Sequence, residues 1–192
     1  TGLFNFEYGL TIANGRVALA QLKAEVDVVI IGGGQSALAT AYFLKRKKVP
    51  FVILDDQSQA GGAWLHAWQS LCLFSPHTWS SLSGWMMPTT ERTYPTRNEV
   101  IEYLSAYEQR YQFPTIRPVH VDHIEQEDDY LDVYAGDQYW RAKAVVSATG
   151  TWSKPHIPND IGREKFKGIQ LHSADYMNAC LLYTSPSPRD TR

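Results

Sequence analysis

The sequence predicts an α/β domain with a mostly parallel sheet, and three observations carry that prediction. The branched run Asp27-Val28-Val29-Ile30-Ile31 ends abruptly in Gly32-Gly33-Gly34, as a strand buried on both faces does when it leaves a sheet for a tight turn. A second apolar run, Phe51-Val52-Ile53-Leu54, follows one stretch of helical period later and ends at Asp55. A third, Ala144-Val145-Val146-Ser147-Ala148, is again continuously apolar and is expected to re-enter the same parallel sheet.

Taken in order, the chain starts at Thr1 and has its first methionine at Met86, so residues 1–24 are left without an assigned role. Gly32-x-Gly34-x-x-Ala37 turns the first strand directly into a helix whose apolar face carries Ala37, Ala41 and Leu44. Lys45-Arg46-Lys47-Lys48 closes that helix, where cations complement the macrodipole. Beyond the second strand, Gly61-Gly62 marks a turn, and the segment from Trp64 to Pro88 is loop-like yet rich in Trp and Phe. So apolar a loop must pack over a core or a flat ligand. Thr96-x-x-Glu99 is a capping box that opens a second helix with Val100, Leu104, Tyr107 and Tyr111 on one face. Strands are then expected at Val119–Ile124, Tyr130–Tyr134, Tyr139–Arg141 and Ala144–Ala148, the middle pair forming a hairpin through Ala135-Gly136-Asp137-Gln138.

The first turn carries the chemistry. Gly32 permits the sharp bend, Gly34 presents no Cβ to an approaching pyrophosphate, and Ala37 lets the helix pack closely on the strand. The free N–H groups of Gln35, Ser36 and Ala37 and the positive end of the helix then face the ligand's charge. Asp55 lies 23 residues after Gly32, the spacing of a carboxylate that holds a ribose hydroxyl. No Arg adjoins Asp55 in the sequence, which speaks against a 2′-phosphate at this site. A Rossmann-like dinucleotide-binding domain is the resulting expectation.

Composition narrows the rest. A net charge of −2 gives no steering toward nucleic acid or an anionic membrane, and no apolar stretch reaches the length of a membrane span. A cytoplasmic protein without nucleic-acid or membrane partners is expected, its oligomeric state unknown. Cys72 and Cys180 are too few and too far apart for a disulfide framework, and no metal site is expected.

Three further motifs narrow the reading: Gly61-Gly62-x-Trp64, Ala148-Thr149-Gly150, and Phe166-x-Gly168-x-x-x-His172-x-x-x-Tyr176. In this order they resemble the class B flavin-dependent monooxygenases, the flavin-containing monooxygenases and their Baeyer–Villiger relatives, over roughly residues 26–179. Tyr176, where Baeyer–Villiger enzymes usually carry Trp, favours the flavin-containing side. The wording from Leu73 to Trp85, with Tyr94-Pro95-Thr96-Arg97 and Leu171–Tyr176, is most similar to the members found with bacterial arsenic-resistance genes.

The resemblance implies that Gly32, Gly33, Gly34 and Ala37, with Gln35 and Ser36, lie against the FAD pyrophosphate and that Asp55 holds the adenosine ribose. It implies that Gly62 and Trp64 border the flavin, that backbone at Val121 meets the adenine, and that Thr149-Gly150 passes close to the cofactor. Phe166, Gly168, His172 and Tyr176 would lie at the junction with an NADPH-binding domain. Ser75 stands where many members carry Asn near the flavin. The implied reaction uses NADPH, FAD and O₂, and passes one oxygen to a small soft nucleophile through a C4a-(hydro)peroxyflavin. No catalytic side chain is assigned, because Ser75, Ser147 and His172 form no relay by spacing.

On this reading residues 25–179 are an incomplete FAD-binding domain. No second strand and Gly-rich turn occurs between Gly150 and Ala179, so the NADPH site is expected downstream and the chain alone is expected not to turn over NADPH with O₂. Residues 180–192 resemble the in-frame translation of a transposase-type sequencing adapter and are expected to be non-native. Two other readings stay open: a flavin-dependent dehydrogenase or disulfide reductase, which should show a Cys-x-x-x-x-Cys pair soon after the first turn, and a non-enzymatic dinucleotide-binding fragment.

Overall fold

The computed structural model describes residues 11–13, 16–18, 22–89 and 92–178. The adapter-like segment 180–192 and most of residues 1–21 lie outside the described residues. Strands β1 (Thr11–Ala13) and β2 (Arg16–Ala18) form a small antiparallel pair. The main sheet contains β3 (Leu22–Ile31), β4 (Phe51–Leu54), β5 (Thr115–Ile116), β6 (His123–Glu127), β7 (Tyr130–Ala135) and β8 (Gln138–Ser147). Their spatial order is β5-β4-β3-β8-β7-β6. Helices α1 (Gln35–Arg46) and α2 (Arg97–Tyr111) complete the regular structure, with short 3-10 turns at Gly62–His66, His77–Trp79 and Arg163–Lys165.

β3 pairs in parallel with both β4 and β8, and β4 with β5. β6, β7 and β8 are joined antiparallel, so the outer hairpin returns the chain to the centre of the sheet, as its sequence predicts. Because side chains alternate across a strand, Val28 and Ile30 meet one core while Val29 meets the other. The first core is roofed by α1 through Ala37, Leu38 and Ala41 and by α2 through Val100, Tyr103, Leu104 and Tyr107. The second gathers Val26, Val52, Leu54, Val133, Trp140 and Ala142.

Three strand expectations change. Of Val119–Ile124 only His123 and Ile124 are strand, the start of β6: Val119 instead donates its N–H to the Asp55 carbonyl at 2.8 Å, and the ladder with β7 starts at His123. Tyr139–Arg141 and Ala144–Ala148 are one strand, because Ala142 is small and buried while Lys143 reaches sideways to Asp27 at 2.6 Å, which lets the ladder run unbroken. β5, only two residues long, has no counterpart in the sequence reading.

α2 opens as its capping box requires. Thr96 Oγ1 accepts from the Glu99 N–H, and Glu99 Oε2 accepts from the Thr96 N–H at 2.7 Å. The aromatic loop is moored to this helix: the Tyr103 hydroxyl accepts from Leu82 N–H and donates to the Trp85 carbonyl, and the Tyr107 hydroxyl donates to the Ser83 carbonyl. Trp64, Leu73, Leu82 and Trp85 pack on the first core, whereas Phe74 and Trp79 are exposed.

Candidate functional site

The candidate site lies at the carboxyl ends of β3, β4 and β8, where the three parallel strands release their chains together. Gly32 has φ +101°, a conformation that L side chains rarely adopt, and a Cβ there would stand 2.5 Å from the Ala148 carbonyl oxygen. Ala148 in turn donates its N–H to the Ile31 carbonyl at 2.8 Å, so the end of β8 closes directly over the turn. Gly33 faces elsewhere, and a Cβ on it would run into the Asp55 carboxylate.

Gly34 and Gly62 meet backbone to backbone. A Cβ on Gly62, which has φ +55°, would stand 2.6 Å from the Gly34 Cα. A Cβ on Gly34 would meet only the Gly62 Cα, at 3.9 Å, an ordinary contact. Protein packing therefore demands glycine at 32, 33 and 62, while at 34 it leaves room in front of the helix. Gly34 is the N-cap of α1, no side chain caps that helix, and its first turn holds no acid. The N–H groups of its first turn have no intrahelical acceptor. Gln35 and Ser36 are exposed there, and Ala37 is fully buried beneath them.

Asp55 follows the last residue of β4 and is buried, and here the sequence reading needs correction. No Arg adjoins it along the chain, but Arg117, 62 residues later, donates from Nε to Asp55 Oδ2 at 2.9 Å. The other two nitrogens of the same guanidinium form a fork on Glu108, at 2.7 and 2.8 Å. Burial opposes the charge on Arg117, but Glu108 and then Asp55 outweigh it and hold the guanidinium above its ordinary pKa. Neither Arg117 nor Glu108 was legible as a site residue, since a pair so distant in sequence leaves no local signal.

The remaining motif residues divide into two groups. Trp64 sits in the Gly62–His66 turn, which Arg97 pins by donating to the Leu65 carbonyl at 2.6 Å. Thr149 lies beside Gly32, and Gly150 turns the chain away with φ +65°. Val121 packs on the second core two residues beyond the Val119–Asp55 contact. Phe166 folds over Gly168, and His172 Nδ1 accepts from the Ala174 N–H at 3.1 Å, so these residues make a local turn of their own. Tyr176 meets the Trp68 ring edge-on at 6.0 Å. Ser75 is hydrogen-bonded to Ser80, 2.7 Å between hydroxyl oxygens. A cleft of about 660 Å³ is lined by other residues, among them Trp68, Cys72, Phe74, Arg92 and Tyr94.

A family model described as pyridine nucleotide-disulphide oxidoreductase matches residues 29–180. The chain belongs to this family. A flavin-containing monooxygenase from Stenotrophomonas maltophilia, a solved structure, is 50% identical with a TM-score of 0.79, covering 82% of this chain and 48% of that one. An uncharacterized CzcO-like oxidoreductase of Geobacillus kaustophilus is 34% identical over 157 residues, 82% of this chain and 45% of its own length. A solved structure of OTEMO, described as a complex with FAD and NADP, shares the fold at 18% identity and TM-score 0.60, covering 78% of this chain and 30% of that one. The chain thus spans about half the length of the first two. Its α/β fold is that of flavoprotein oxidoreductases, and its relatives include flavin-containing monooxygenases.

Among the described residues no group of His, Cys, Asp and Glu could hold a metal ion, and no helix is long and apolar enough to cross a membrane.

Proposed function

We propose that this chain is the FAD-binding front portion of an NADPH- and FAD-dependent monooxygenase that transfers one oxygen atom from O₂ to a small soft nucleophile. The observation that carries the reading is the opening at Gly34: the one glycine of the turn that packing does not require stands at an uncapped helix N-terminus, where a pyrophosphate needs both the space and the N–H groups. Bound FAD would supply the redox and oxygen chemistry.

The chain's own residues bind and orient. Backbone N–H groups of Gln35, Ser36 and Ala37 hold the pyrophosphate, with Gly32, Gly33 and Gly34 keeping the turn close. Asp55 accepts from the adenosine ribose, and backbone at Val121 meets the adenine. Gly62 and Trp64 border the flavin, with Thr149 and Gly150 beside the point where the chain leaves. Phe166, Gly168, His172 and Tyr176 form the approach to an NADPH-binding part of the longer protein. Residues 25–179 are the domain unit of this proposal. The similarity of Leu73–Trp85 to arsenic-resistance-associated enzymes supports a soft, polarisable acceptor.

The test is a titration of the chain with FAD and, separately, NAD, followed by flavin fluorescence and calorimetry. FAD is expected to bind and NAD to bind far more weakly. Tight NAD binding without FAD binding overturns the proposal.

A further inference from the structure

The sequence marks Asp55 as a ribose carboxylate standing alone; in the structure it is one end of a chain of three charges. Asp55 Oδ2 rests on Arg117 Nε at 2.9 Å, and the guanidinium's outer edge is taken by both oxygens of Glu108. All three side chains are largely buried, with 2% exposure for Asp55 and 14% for Arg117 and Glu108. Arg117 is therefore committed on two sides, and the sum of the three charges is negative.

An arginine next to this carboxylate ordinarily signals acceptance of a 2′-phosphate. Here its position says the opposite. A 2′-phosphate needs the guanidinium fork, and Glu108 already occupies that fork with the geometry a phosphate would use. Both the Asp55 carboxylate and Arg117 Nη2 lie against Gly33, where a Cβ would collide with either, but Nη2 is held by Glu108, which leaves the Asp55 carboxylate as the group to meet a ribose.

Resting on the FAD-binding reading above, we infer that Arg117 and Glu108 are the residues that set nucleotide selectivity at this site. Arg117 is a positioning residue that aims Asp55 at a free ribose 2′-hydroxyl, and Glu108 keeps Arg117 from serving a 2′-phosphate.

Two ligands that differ only at that position test this: ADP-ribose and 2′-phospho-ADP-ribose, titrated calorimetrically into the full chain and its variants. The parent is expected to favour ADP-ribose by at least about tenfold. Glu108→Gln frees the fork and removes one negative charge, so this preference should shrink by about tenfold or more. Arg117→Met should weaken ADP-ribose by about tenfold while 2′-phospho-ADP-ribose stays rejected. If Glu108→Gln does not fold, Asp55→Asn makes the same charge change at the other end and should narrow the preference likewise. Equal losses for both ligands in every folded variant would mean that the triad only holds the structure together, and the inference fails. A parent chain that binds neither ligand nor FAD overturns the FAD reading, and this inference with it.

Discussion

Gly34 and Gly62 approach each other asymmetrically: a methyl group on Gly62 would lie 2.6 Å from the Gly34 Cα, whereas one on Gly34 would lie 3.9 Å from the Gly62 Cα. Packing thus requires glycine at 62 and not at 34, and substitution separates the two. Gly62→Ala adds a backbone collision to a positive φ and is expected to cost about 1–3 kcal/mol of stability. Gly34→Ala meets nothing tighter than an ordinary contact and should cost no more than about 1 kcal/mol at the N-cap. Its FAD affinity should nevertheless fall by about tenfold or more, because the methyl enters the pyrophosphate space. Thermal melts and FAD titrations of both variants read this out, and a Gly34→Ala chain that binds FAD like the parent removes the main support for the site.

The capping box of α2 gives a pH-dependent prediction. The Thr96 N–H, then the Thr96 hydroxyl, hold the Glu99 carboxyl below its ordinary 4.5; burial opposes them and Arg92 assists. A carboxyl whose pKa is lowered in the folded state contributes stability that is present above 4.5 and lost as pH falls through the lower folded value. Glu99→Gln should therefore be less stable than the parent near neutrality and converge with it in acid, as urea denaturation across pH would show. Thr96→Ala removes the hydroxyl half of the box, leaves the Glu99 carboxylate on the backbone N–H at position 96, and should cost about 1 kcal/mol near neutrality.

Two tyrosine hydroxyls anchor the aromatic loop, and their loss should not be equal. Tyr103 serves two backbone groups, the Leu82 N–H and the Trp85 carbonyl, and Tyr107 serves one, the Ser83 carbonyl. Burial, followed by its tyrosine neighbours, pushes the Tyr107 phenol well above its ordinary pKa and keeps it a donor. Tyr107→Phe should cost about 1 kcal/mol and Tyr103→Phe more than that, since the first leaves one part-buried backbone group without its bond and the second leaves two. Faster limited proteolysis within residues 76–86 of Tyr103→Phe, at a temperature where the remainder stays folded, is the specific signature. Equal proteolysis of parent and variant would show that packing alone holds the loop.

The parts of the fold that were legible are those in which local pattern and burial agree. Val29, Ile30, Ile53 and Leu54 are fully or almost fully buried, so unbroken apolar runs were a sound guide to β3 and β4. Thr96 and Glu99 act within a single helical turn, and the capping box could be read from four letters. β6 has five exposed residues and no apolar period to detect. β8 looked like two strands because Lys143 interrupts its pattern, although that side chain only leans toward Asp27. At the site, the glycine turn and Asp55 were visible as a motif. Arg117 and Glu108 were not, because their partnership with Asp55 exists only once β4, α2 and β5 are assembled.

β3 and β8 run side by side although Asp27 and Lys143, which join them, are 116 residues apart in the chain. β3, α1 and β4 can form early from neighbouring sequence, but the Ala148 carbonyl reaches Gly32 only after β8 has returned from the outer hairpin. Closing so long a loop is entropically costly and slow compared with local pairing. The candidate site at Gly32 is therefore finished late in folding, and a ligand that fits it recognises only chains that have completed the journey. Such a ligand draws the population toward the finished state by mass action and so serves as an assay of correct assembly.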